Sequence, residues 1–186
     1  MPKKNEQHNP NEDQNDHESN AEIMQDEPHC EDNHKEEGDE NKVAKSASPE
    51  IQLDIVIADG KALKLSPKTC NHVFYEVGVN RDEQALYIRL TGNEGGGLHS
   101  KRWIAFDDIF EILDECHKQQ CIIKSTLLNP VFIGGSQNNA GFMAAVLRSD
   151  DIALLRKTEK DIFTHQTTIE YEDNKALLLA YVDGHK

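Results

Sequence analysis

The chain has 186 residues, 37% of them apolar and 29% charged, and its 34 acidic against 20 basic side chains leave a formal net charge of −14. That length sets one domain, or one domain with an appendage, as the starting expectation. Such acidity disfavours nucleic acid as a partner, since neutralising phosphates takes a basic surface; no stretch approaches the roughly 18 to 20 apolar residues of a bilayer crossing; and four scattered cysteines do not form the disulfide framework of a secreted mini-domain.

Composition divides the chain. Residues 1–50 hold five lysines, fifteen acidic side chains, eight apolar side chains and no aromatic, which places −10 of the −14 there. A segment with so little to bury does not offset the conformational entropy of ordering its backbone, about 1 to 2 kcal/mol per residue. Residues 1–49 are therefore expected to be a disordered acidic tail and linker, and 50–186 a single α+β domain. Met1 to Lys4 lead into Asn, Glu and Gln rather than an apolar run, so a cytoplasmic location with reduced thiols is expected.

In chain order, Ile51, Leu53, Ile55 and Ile57 alternate with polar neighbours up to Asp59-Gly60, and Leu63 and Leu65 resume the alternation, which predicts a hairpin turning at the Asp-Gly pair. Val73, Tyr75, Val77 and Val79 form one face of a second pair of strands, turned at Asn80 to Gln84 onto Leu86, Ile88 and Leu90. An antiparallel sheet of hairpins with one apolar face needs a cover. "FDDIFEILDECHK" supplies it, since Phe106, Ile109, Phe110, Leu113 and Cys116 fall on one helical stripe, with Asp107 or Asp108 as cap. The segment "CIIKSTLLNPVFI" reads as β-rich, "FMAAVLR" as a strand, "SDDIALLRK" as a short capped helix, and "TTIEYEDNKALLLAYVD" as a final hairpin with a central last strand.

The most unusual stretch is "TGNEGGGLHSKRW", residues 91–103. Gly95, Gly96 and Gly97 have no Cβ and leave backbone amides accessible, the raw material of an anion nest, beside Asn93, His99, Ser100, Lys101 and Arg102. The phosphate motifs are incomplete: Gly92 and Gly97 have P-loop spacing, but Leu98 and His99 stand where Lys and Ser or Thr belong. The bland alternative is a flexible connection anchored by Trp103. A second loop, "GGSQNNAG", offers Ser136, Asn138 and Asn139 in similar surroundings, and both loops share a rim if their strands are neighbours. It misses the G-x-S-x-G pattern at Asn138, which leaves Ser136 with His99 or His165 as an unsupported nucleophile.

Metal ligation finds no paired C-x-x-C: Cys70 with His72, Cys116 with His117, and Cys121 are more simply buried thiols, and "PHCEDNH" in the tail is suited only to weak, exchangeable binding. Arg81, Arg89, Lys101 and Arg102 would make a local basic spot near the first loop for the acidic tail to cover, unless the tail only confers solubility. No cofactor is implied. The expectation is a non-enzymatic binding or regulatory module that contacts a protein or small anionic partner through the two glycine-rich loops. The alternative is an enzyme acting on a phosphorylated or carboxylated substrate, with the loop as anion cradle, Lys101 and Arg102 as charge partners and His99 as general acid or base.

Overall fold

A computed structural model describes residues 52–184. The proposed acidic tail and its His-rich patch lie outside the described residues. Within them the chain is α+β, with a four-stranded antiparallel sheet in the order β1 (Asp54–Leu63), β2 (His72–Asn80), β3 (Ala85–Asn93) and β4 (Ile104–Ala105). The period-two pattern of β2 and β3 is realised as read. Val73, Tyr75, Val77 and Val79 are fully buried, and so are Ile88 and Leu90, with Leu86 nearly so. Each such side chain contributes about 1.5 to 3 kcal/mol when taken from water.

The helix α1 (Phe106–Gln119) buries the five residues of its stripe and packs on β3 and β4. Its cap differs from expectation. Ala105 is the N-cap and makes no side-chain hydrogen bond, while Asp107 and Asp108 lie inside the first turn, where they oppose the positive end of the helix dipole. At the other end Gln120 takes a left-handed conformation that closes the helix.

The Asp59-Gly60 hairpin is not formed. β1 runs through both residues as one strand, its register against β2 shifting between Ile55 and Ile57 and again between Ile57 and Gly60. Gly60 lacks the positive φ that a tight hairpin turn requires. Its use is steric: a Cβ on Gly60 would stand 2.5 Å from Cζ of Tyr75. The Tyr75 ring crosses β1 there, and its hydroxyl meets Ser149 Oγ at 3.0 Å and donates to Asp151 at 3.2 Å.

The second half departs more. Only Ile123–Lys124 of the β-rich segment forms a strand (β5), followed by a 3-10 helix, Ser125–Val131, that contains Pro130. "FMAAVLR" is helical rather than extended. The helix α2 (Asn138–Val146) begins four residues earlier in the amide-rich loop and is buried on nearly all sides, so no apolar stripe marks it. It packs on β1 and β2 and on the 3-10 helix, sharing the cover of the sheet with α1. The expected short helix after Ser149 is a turn leading to β6 (Leu155–Lys157), which joins β5 and β7 (Thr164–Thr167) in a small antiparallel sheet ordered β5-β7-β6. The expected final hairpin is α3 (Tyr171–Leu179). Its Tyr171 hydroxyl donates to Asp114 at 2.7 Å, and Lys175 reaches the same carboxylate at 2.7 Å.

Replacing Gly60 by alanine is expected to destabilise the domain by about 1 to 3 kcal/mol, because the pinned Tyr75 ring has to shift. Gly141→Ala in α2, where a Cβ meets nothing within 4 Å, is expected to stabilise by about 0.5 to 1 kcal/mol. Urea unfolding midpoints of the two variants should move in opposite directions.

Candidate binding site at the junction of two glycine-rich loops

The first loop follows β3 and is built around Lys64, the residue after β1. The Lys64 ammonium donates to Asn93 Oδ1 at 2.8 Å, to the carbonyl of Glu94, and to the carbonyl of Gly96 at 3.5 Å. It also lies 5.0 Å from the centre of the Phe142 ring. Burial lowers its pKa, opposed by the charge of Glu94. Asn93 Nδ2 donates to the Gly97 carbonyl at 3.0 Å and approaches His99 Nδ1 at 3.2 Å. Gly95, Gly96 and Gly97 have φ of +70°, +75° and +107°, a run that other residues rarely tolerate.

The Glu94 carboxylate anchors the loop from the opposite side. It accepts the His72 amide at 2.7 Å and pairs with His72 Nδ1 at 2.9 Å, contacts that hold its pKa below the usual range. The loop therefore turns carbonyls of Glu94, Gly96 and Gly97 onto donors of its own domain.

The second loop meets the first directly. Asn139 Oδ1 accepts the Ser100 amide at 2.9 Å, Asn138 Nδ2 donates to the Leu98 carbonyl at 3.5 Å, and a Cβ on Gly97 would lie 3.0 Å from Asn138 Nδ2. Ser136 Oγ accepts the Asn138 amide at 3.1 Å, and the Ser136 carbonyl accepts that of Asn139 at 3.1 Å, which starts α2. Asn93, Gly95, Gly96, Gly97, His99, Ser100, Ser136, Asn138 and Asn139 thus belong to one contiguous structure. Lys101 and Arg102 stand apart from the glycines: both are exposed, and neither makes an ion pair among the described residues.

The expected basic spot is not assembled. Arg81 is held by Asp54 and by the carbonyls of Tyr181 and Val182, and Arg89 is held by Glu76 with its guanidinium 4.5 Å from the centre of the Trp103 ring.

Three depressions surround the joined loops. One of about 510 Å³ is walled by Ser100, Arg102, Trp103, Asp108, Phe132 and Ile133 among others. A second of about 480 Å³ lies between Lys64, Lys124, Ser125, Asn138, Phe142 and Phe163. A third, about 160 Å³, is enclosed by Asn129, Phe132, Gly134, Gly135, Ser136, Gln137 and Asn139. Leu98 in the first loop and Ile133 just before the second are 77% and 79% exposed.

Two features were not legible in the sequence: the lysine under the glycines and a serine-histidine contact. Ser125 Oγ lies 2.9 Å from Nε2 of the fully buried His165. Burial, reinforced by Arg148 and opposed by Asp161, brings His165 down to about 4. Its imidazole is neutral near pH 7 and a poor general base, and Nδ1 is buried without a partner among the described residues.

Among the described residues no group of three or more His, Cys, Asp or Glu side chains is placed to hold a metal ion, and no helix is long and apolar enough to cross a membrane. His117 Nδ1 meets Thr167 Oγ1 at 2.8 Å, and Cys116 and Cys121 carry free thiols, that of Cys116 pushed up to about 12 by burial and by contact with Cys121. Comparison of the chain with protein-family models, with curated proteins and with solved structures finds no match.

His165 yields a pH test. Its folded value of about 4 lies below the ordinary 6.5, so the unfolded chain binds more protons between the two. Its neutral burial is harmless above about pH 6.5 and is penalised progressively as pH falls towards 4, by on the order of 3 kcal/mol in full. Unfolding free energies measured at pH 7, 6, 5 and 4.5 are expected to fall with acidity in the native chain, and to fall less in His165→Gln. Equal slopes would remove His165 as the cause.

Proposed function

We propose that this protein is a non-enzymatic binding module that seats a segment of a protein partner across its joined glycine-rich loops. The observation that carries this reading is the hydrogen bond from the Ser100 amide to Asn139 Oδ1, which makes one surface of two loops about forty positions apart in the chain. Solvent-facing on that surface are the apolar Leu98 and Ile133 and the cationic Lys101 and Arg102. Exposed apolar side chains flanked by exposed positive charge favour a partner segment that combines apolar and acidic side chains.

The alternative of an enzyme with a phosphate cradle has less behind it. His99 has Nδ1 beside Asn93 and Nε2 buried without a partner among the described residues, which favours a ring turned inward over one that meets a bound substrate. The carbonyls of Glu94 and Gly96 are turned onto Lys64 and that of Gly97 onto Asn93, whereas a phosphate requires donors.

Short synthetic peptides alternating leucine with glutamate, titrated into the isotopically labelled chain, are expected to give saturable amide shifts confined to Leu98 to Arg102 and Ile133 to Asn139. Leu98→Glu and Ile133→Glu alter exposed positions and are expected to weaken binding about tenfold or more each. Shifts located elsewhere, or affinities unchanged in both variants, would exclude this surface. Saturation of the same amides by inorganic phosphate, with no response to the peptides, would instead favour the small-anion reading.

A further inference from the structure

Asn139 is the second residue of the nine-residue helix α2 and is only 2% exposed. Its Oδ1 accepts the Ser100 amide, which fixes the orientation of the carboxamide and leaves Nδ2 as a buried donor without a hydrogen-bond partner among the described residues. An unmet donor of this kind costs about 1 to 3 kcal/mol. Nδ2 faces Gly135, where a Cβ would come within 2.9 Å of it. Gly135, with φ of +105°, and Asn139 both belong to the wall of the 160 Å³ cavity, together with Gly134 and Ser136. That cavity lies at the start of α2, where the helix dipole is positive. Ser136 Oγ accepts the Asn138 amide, so its own hydrogen is directed to another acceptor.

The geometry points to a carboxylate-binding site in this cavity, held by Asn139 Nδ2 and the Ser136 hydroxyl beside the positive end of α2. The inference rests on the reading of the joined loops as a docking surface and supplies its anchor. A carboxylate answers both features at once: its oxygens accept from neutral donors, and its single charge suits the half charge of a helix N-terminus. The wall contains no Lys or Arg to neutralise a phosphate dianion, and an alkyl group leaves Nδ2 unanswered. A volume of 160 Å³ matches about five water molecules at roughly 30 Å³ each, room for a carboxylate and the carbon that bears it. At Gly135 any side chain would cover Nδ2.

Acetate is the probe. In spectra of the labelled full chain, sodium acetate exchanged for sodium chloride at constant ionic strength is expected to shift the Asn139 side-chain amide and the backbone amides of Gly135 to Ala140 saturably. Asn139→Asp keeps the acceptor for Ser100 but replaces the donor by a charged oxygen, and the response is expected to fall at least tenfold. Ser136→Ala, at a less buried position, is expected to weaken it severalfold and serves where the buried aspartate prevents folding. Two peptide arms identify the source: one with a free C-terminal carboxylate and no acidic side chain, the other amidated and carrying glutamates.

Absence of an acetate response, or a response unaltered in both variants, overturns the carboxylate site. Peptides that bind across Leu98 and Ile133 while acetate shifts nothing overturn the anchor and leave the docking surface standing. Acetate that binds while no peptide does supports the anchor and overturns the docking reading.

Discussion

The Lys64 ammonium controls how the first glycine-rich loop is shaped. A lysine withdrawn from water needs acceptors, and Asn93 together with the carbonyls of Glu94 and Gly96 provides them. Three consecutive residues with positive φ bend the chain over the ammonium, which only glycine does without strain. The same lysine stacks on Phe142 of α2, so a single cation ties together the end of β1, the loop after β3 and the helix that carries the second loop. Asn138 and Asn139 then close the junction from the side of α2. The carbonyls of Glu94 and Gly96 thus serve an internal cation.

The first half of the domain was legible because its patterns are local and strictly periodic. Val73 to Val79 alternate cleanly, and the stripe from Phe106 to Cys116 has no competing period, so burial follows directly from spacing. Where the period is absent, reading failed for a physical reason. α2 is enclosed by β1, β2 and the 3-10 helix, so every side of Phe142 to Val146 is apolar and strand and helix look alike. In α3, Asp173 to Lys175 resemble turn residues, yet Lys175 and Tyr171 are held in helical spacing by one distant carboxylate, Asp114, a tertiary constraint that propensity does not contain. Asp59-Gly60 was misread because glycine has two uses, and here space for the Tyr75 ring outweighs positive φ.

Of the site, the residue types were legible and their contacts within the domain were not. Asn93, Ser100 and Asn139 were singled out as ligand contacts, and each makes contacts within the domain itself. Lys101 and Arg102 were paired with the glycines by proximity in the chain, whereas the cation that the glycines surround comes from Lys64, about thirty positions earlier. Buried polar groups left incomplete, at Asn139 and His165, appear only once the packing is known. Such groups are rare in folded proteins, and each calls for an explanation.

The Arg81 guanidinium, at the bend between β2 and β3, receives the carbonyls of Tyr181 and Val182 from a hundred positions further along. During synthesis at roughly 5 to 20 residues per second, the hairpin exists as a nascent element for seconds before its distant acceptors leave the ribosome. Until then the arginine is hydrated, and α1 lacks the Tyr171 and Lys175 contacts that complete its outer side. Closure of the domain thus waits on residues a hundred positions further along the chain, and until they arrive the apolar face of the β2–β3 hairpin has only part of its cover.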